Sequence, residues 1–200
     1  MKNDSRNANT RLRDKRVAIV ATHGFEQDEL TQPLKALRDA GATVDVIAPE
    51  NGQIQGFRHF EKGDKVDVTR TLAEANPADY DALVLPGGLF NPDKLRMDEH
   101  ALKFASAIAK AGKPLAAICH GPWILINAGL VKGRKLTSVA SIRKDLENAG
   151  ARWVDEEVIV DNGLVTSRTP KDLPAFNAKL IEEIAEGQHR GQAERARSAA

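Results

Sequence analysis

The stretch PLAAICHGPWIL, residues 114–125, runs from an apolar segment through Cys119-His120-Gly121-Pro122 into a second apolar group. Such a run, cut off by Gly-Pro, reads as a buried strand that turns at once into a helix. Gly121 permits the tight turn, and Pro122 suits the first helical position, where no N–H is needed. Upstream, Leu102, Ala105 and Ala109 carry a helical period that ends near Gly112, and ALVLPGG (82–88) is a strand breaking into a loop at Pro86. VAIVA (17–21) and TVDVIAP (43–49) are two further strands. Between them Leu30, Leu34, Leu37 and Ala40 mark an amphipathic helix stopped by Gly41. The polar, glycine-bearing stretch up to Thr71 reads as a small hairpin excursion.

Downstream, the pattern predicts a strand near Leu136–Ser138 and a helix over Ile142–Ala149. EVIVDNGLVTSR (157–168) reads as a hairpin turning at Asp161-Asn162-Gly163. The last helix starts near Pro170 and carries Leu173, Phe176, Leu180, Ile181 and Ile184. Strands rich in Val, Ile and Leu that alternate with helices specify an α/β fold, a doubly wound parallel sheet covered on both faces. We expect one domain over residues 16–187, with polar tails at 1–15 and 188–200.

Composition limits the function classes. The chain has 200 residues, 42% hydrophobic and 28% charged, enough for one sizeable core. Twenty-nine basic against twenty-eight acidic residues give a net charge of +1, which offers no field to draw the chain onto nucleic acid or an anionic membrane. No apolar run approaches the roughly 18 residues of a membrane span. The opening MKNDSRNANTRLRDKR lacks the apolar core of a secretory signal, so cytoplasmic residence is the expectation. The five histidines show no metal-ligand spacing and the glycine-rich nucleotide fingerprints are missing, so neither a metal nor a cofactor is expected.

The single cysteine excludes an internal disulfide and leaves Cys119 as a buried small hydrophobe or a reactive thiol. A strand-to-helix elbow is where a nucleophile is lifted out of a sheet, and N–H groups there favour a thiolate. His120 is the adjacent base, although neighbouring residues usually point apart. Glu26 and Glu29 stand three apart at the start of the first helix, so they are expected on one helical face, pointing toward the strand ends. They serve either the helix N-terminus or the strand edge where the cysteine lies. Gly87 and Gly88 are an ordinary loop or half of an oxyanion hole. These turns all fall at carboxyl ends of strands, where sheets of this kind bind ligands.

VAIVATHGFEQDEL, DALVLPGG, GKPLAAICHGPWILINAG, KGRKLTS and WVDEEVIVDNGLVTSR, in this order and spacing, resemble the PfpI intracellular-protease family of the class I glutamine-amidotransferase-like superfamily. ICHGPW with GFRHFEKGDK resembles its bacterial general-stress branch. The resemblance implies a flavodoxin-like sandwich with Cys119 as nucleophile, His120 as its catalytic neighbour and Glu29 as the acid bonded to the cysteine. Gly88 and the His120 amide would hold the oxyanion, and Glu26, Gly87, Gly88 and Trp123 would line the substrate site. Asp93 falls, after a one-residue insertion, where some members carry a glutamate that completes a triad in the neighbouring subunit. A homodimer or a larger ring of dimers is therefore implied. The implied substrates are peptides or small carbonyl compounds, through peptidase, glyoxalase or deglycase chemistry. A redox sensor or holdase using an oxidisable Cys119 is the alternative. Amidotransfer fits poorly, because no synthetase segment accompanies the domain.

Overall fold

A computed structural model describes residues 11–198. Strand β1 (Arg16–Val20) leads through the short β2 (Phe25–Glu26) into helix α1 (Gln27–Asp39) and returns as β3 (Thr43–Ala48). The hairpin of β4 (Gln53–Arg58) and β5 (Glu61–Asp67) precedes the edge strand β6 (Arg70–Thr71) and the core strand β7 (Ala82–Leu85). Helices α2 (Phe90–Leu95) and α3 (Glu99–Lys110) lead to β8 (Leu115–Ile118) and α4 (Pro122–Asn127). Then follow β9 (Lys135–Leu136), α5 (Arg143–Asn148), β10 (Arg152–Trp153), β11 (Val158–Asp161), β12 (Leu164–Ser167), α6 (Leu173–Glu186) and α7 (Arg190–Ser198).

The main sheet runs β11-β12-β8-β7-β1-β3-β6, parallel except for β11. Its five central strands follow the flavodoxin-like order, so the sheet switches direction between β1 and β7. Ala18, Val20, Leu83, Leu85, Leu115 and Ala117 bury one face, and Val17, Ile19, Ala82, Val84, Ala116 and Ile118 the other. Because both faces are covered, these strands carry apolar residues at every position instead of alternating with polar ones. Helices α3, α4 and α5 pack on the first face, α1 and α6 on the second. Among the described residues no helix is long and apolar enough to cross a membrane.

The excursion after β3 is a three-stranded sheet, β4 pairing with both β5 and β2. It is seated on α1, where the buried Gln27 accepts a 2.9 Å hydrogen bond from the Asp64 N–H. The strand expected near Leu136–Ser138 is shorter and pairs with β10 in a separate ribbon.

The two tails differ from expectation where they are described. Leu12 is fully buried and its N–H donates to Ala40 O at 2.8 Å, so residues 11–15 belong to the fold. Residues 190–198 form α7, which packs on α3, with Gln192 bonded to Lys113 O and Ala196 buried. The helix escapes a reading by apolar period because only Gln192 and Ala196, four apart, face inward. The expectation for residues 1–10 and 199–200 lies outside the described residues.

Candidate active site

Cys119 directly follows β8 and adopts φ 61, a left-handed conformation that costs a non-glycine residue on the order of 1–3 kcal/mol. Its surroundings hold it there. The Cys119 N–H donates to Ser167 O at 3.0 Å, its carbonyl accepts from Val139 N at 3.1 Å, and Gly121 N–H closes back onto Ile118 O at 2.8 Å. The positive φ breaks strand alternation, so the side chains of Cys119 and His120 meet instead of pointing apart. Sγ lies 3.2 Å from His120 Nδ1.

The carboxyl of Glu29 comes from the first turn of α1 and is fully buried. Its Oε2 accepts the Gly87 N–H at 2.9 Å, and its Oε1 has no hydrogen-bond partner. Gly87 is wedged between acid and thiol. A Cβ at this position would stand 2.5 Å from Glu29 Oε2 and 2.6 Å from Cys119 Cβ, so no other residue fits. Gly88 has φ 80, and a side chain there would strike Gly24 O at 2.4 Å. The glycine pair thus lets β7 approach both α1 and the elbow.

Burial, reinforced by the charge of Glu26, pushes the Glu29 carboxyl up to about 8, so it is protonated at neutral pH. Burial also pushes the Cys119 thiol up, and an ionised Glu29 would push it further. A protonated Glu29 removes that second cause and presents an O–H beside the sulfur. The amides of Gly88 and His120 act in the opposite direction and favour the thiolate. Burial lowers the His120 imidazole, which keeps it neutral and able to accept a proton.

His120 Nε2 lies 3.3 Å from Ser141 Oγ, so its second nitrogen faces a hydroxyl and not a carboxylate of the same chain. The imidazole packs against Trp123 with ring centres 5.1 Å apart. Trp123 is itself fixed by its Nε1–H bond to Asp145 at 2.8 Å and by Arg96 stacked 5.0 Å from the ring. Trp123 therefore holds the His120 imidazole in place.

Two expected residues are placed differently from the expectation. Glu26 is not on a helical face with Glu29: it lies in β2 at the helix N-cap, where its Oε2 accepts the His59 N–H of the hairpin at 3.1 Å. Asp93 projects from α2 into solvent and makes no hydrogen bond or ion pair among the described residues. Sequence reasoning missed Ser141 and Asn91. The fully buried Asn91 accepts from Thr22 N at 2.7 Å and donates to Pro86 O at 2.9 Å and Gly87 O at 3.1 Å, tying the loops after β1 and β7. Neither belongs to a spacing pattern that would have flagged it.

A cleft of about 570 Å³ opens beside this site, between the β1 and β3 ends, the hairpin and α2, and Phe57, Phe90 and His23 line it. Cys119 is not among its walls.

The sequence profile of the DJ-1/PfpI family matches residues 15–183. General stress protein 18 of Bacillus subtilis is 48% identical over 169 residues, covering 84% of this chain and 96% of its own length. YraA of the same organism, named as a candidate cysteine protease, is 46% identical over 167 residues with the same coverage. Among solved structures, Drosophila melanogaster DJ-1beta superposes with a TM-score of 0.79 at 27% identity, covering 92% of this chain and 96% of that one. An Anabaena variabilis protein with DJ-1/ThiJ/PfpI-like and ferritin-like domains reaches 0.80 at 35% identity, covering 86% of this chain and 48% of that longer protein. Its fold, its cysteine elbow and these likenesses agree: the chain belongs to the DJ-1/PfpI family.

Proposed function

We propose that the protein is a cysteine-dependent enzyme whose Cys119 thiolate attacks a carbonyl, and that its substrates are small reactive carbonyl compounds. The observation that carries this reading is the contact of Cys119 Sγ with His120 Nδ1 at 3.2 Å beside a protonated Glu29. His120 takes the thiol proton and the sulfur adds to the carbonyl carbon. The carbonyl π electrons move to oxygen, which the amides of Gly88 and His120 stabilise before it accepts the proton from His120. On a dicarbonyl, an enediol step moves the proton of the carbon bearing sulfur to the neighbouring carbonyl carbon and the hydroxyl proton of the adduct to that carbonyl's oxygen, which leaves a thioester. Water then releases it as a hydroxy acid, and Glu29 and His120 are placed to relay the protons. Cleaving an amide is harder because the leaving amine must be protonated, and His120 faces only Ser141 on its far side. This favours dicarbonyls over peptides, although a relative carries a protease name.

Self-association belongs to this reading. Leu89, Phe90 and Met97 expose 53%, 62% and 77% of their surfaces around Asp93, an apolar patch suited to a second copy in a homodimer or ring of dimers. The test is turnover of methylglyoxal, a glycated peptide and casein side by side, with Cys119→Ser as control. Loss of methylglyoxal turnover in the variant supports the reading. Equal rates for both proteins on every substrate overturn it, and cleavage of casein alone restores the peptidase.

A second reading draws on the same acid. A protonated Glu29 beside the sulfur would donate to a sulfinate formed when peroxide oxidises the thiolate. Mass spectrometry of peroxide-treated protein would then find two added oxygen atoms on Cys119 in the wild type and fewer in Glu29→Ala.

A further inference from the structure

The opposite edge of the sheet, where β8 and β12 begin, holds a second group of ionisable side chains. Glu183 and Glu186 lie three apart in the last turn of α6 and so share one face. Gly187, with φ 93, ends the helix and turns the chain back. The His189 N–H donates to Gly112 O at 2.7 Å, and the imidazole packs on Gly163 of the β11–β12 turn, where a Cβ would be 2.6 Å from its Cδ2. The backbone therefore presents this ring to the acids.

The Glu183 side chain is only 8% exposed and that of His189 only 17%. Glu183 Oε2 and His189 Nε2 face each other at 3.2 Å, yet both are buried without a hydrogen bond. Their facing contact lacks hydrogen-bond geometry, and native proteins rarely leave two such buried atoms without a hydrogen bond. Glu186 completes the group, with one ligand atom of each residue within 4.8 Å of the others. Ligands about 2.0–2.2 Å from a tetrahedral zinc ion stand roughly 3.4 Å apart, close to the 3.2 Å of the buried pair. Lys179, the nearby amine, is engaged by both carboxylate oxygens of Glu182 at 2.8 and 3.0 Å and does not fill the site.

We propose that Glu183, Glu186 and His189 bind a zinc-class divalent cation, with water in the fourth position. One imidazole and two carboxylates suit a borderline transition-metal ion, whereas an all-oxygen set would suit calcium or magnesium. The ion neutralises the two acids and fastens the end of α6 to the start of α7 and to the loops before β8 and β12. It lies at the end of the sheet away from Cys119, so its role is to hold the carboxyl-terminal helix and not to assist the carbonyl chemistry. Glu-x-x-Glu-x-x-His is not a helical metal signature, because the histidine reaches the acids only after the chain turns at Gly187.

The test is a Zn²⁺ titration of untagged protein in the Cys119→Ser background, which removes the thiolate as a competing ligand. Competition with a chelating dye should show one equivalent bound per chain, and excess Zn²⁺ should raise Tm by about 5 °C or more while Mg²⁺ does not. Glu186→Gln, at an exposed position, should weaken binding at least about tenfold and leave the metal-free Tm within about 1 °C. His189→Gln should abolish the saturable phase. Absence of saturable binding, or wild-type affinity in Glu186→Gln, overturns the proposal and leaves Glu183 and His189 as an ion pair. If His189→Gln does not fold, Glu186→Gln alone decides.

Discussion

Two buried glutamates on the same layer of helices, Glu29 at the carboxyl end of the sheet and Glu183 at the amino end, meet one electrostatic problem in different ways. Burial is the leading cause that raises both carboxyls. Glu183 stands against an imidazole, which pulls the other way. Glu29 has the Gly87 amide and the neighbouring thiol but no cation, and rises to about 8. At one end the buried acid faces an imidazole that opposes the rise, at the other it keeps a proton. A buried acid that keeps its proton is a donor, and it sits beside the one nucleophilic sulfur of the chain.

If the two ends do different work, substitutions at them should separate. The largest effect is expected from Cys119→Ser, which should lower methylglyoxal turnover about a thousandfold, roughly 4 kcal/mol, with Tm nearly unchanged. A fall in Tm with turnover retained would erase the distinction.

Glu29→Gln comes next and is read through pH. A carboxyl moved from 4.5 to about 8 by folding favours the native state fully below pH 4.5 and loses that contribution as pH rises through 8. Wild type should therefore lose stability relative to Glu29→Gln between those values, by an amount on the order of 4 kcal/mol. Parallel Tm–pH profiles of the two proteins would show that Glu29 is not held neutral.

At the amino end, His189→Gln removes the partner of a buried acid and should cost about 1–3 kcal/mol in urea unfolding. Methylglyoxal turnover should stay within about twofold of wild type, since the site is remote from the sulfur. The smallest effect is expected from Asp93→Ala, again within about twofold on methylglyoxal because the exposed residue makes no hydrogen bond or ion pair among the described residues. A tenfold loss would instead place the Asp93 of a neighbouring copy at His120, so that activity would need the oligomer.

What was legible in the sequence follows the same physics. Strands buried on both faces appear as unbroken apolar runs, which is why VAIVA, ALVL and LAAI announce the sheet. The Cys-His-Gly-Pro elbow was readable because only a few residue types satisfy a sharp strand-to-helix turn. Polar residues recruited by tertiary contact left no such trace. Ser141 and Asn91 act through loops that approach only in the folded chain, and α7 buries too few residues to show a period. Glu26 was misplaced on a helical face because spacing alone cannot tell the first helical turn from its cap, where the hairpin claims the carboxylate.

The backbone bonds of Cys119 to Ser167 and Val139 join this residue to two segments distant in sequence. Its amide has no private route of opening, so it should exchange with deuterium at a rate close to that of whole-domain unfolding. Under the proposed function, the nucleophile is therefore not lost by fraying: on warming, inactivation and denaturation should become the same event.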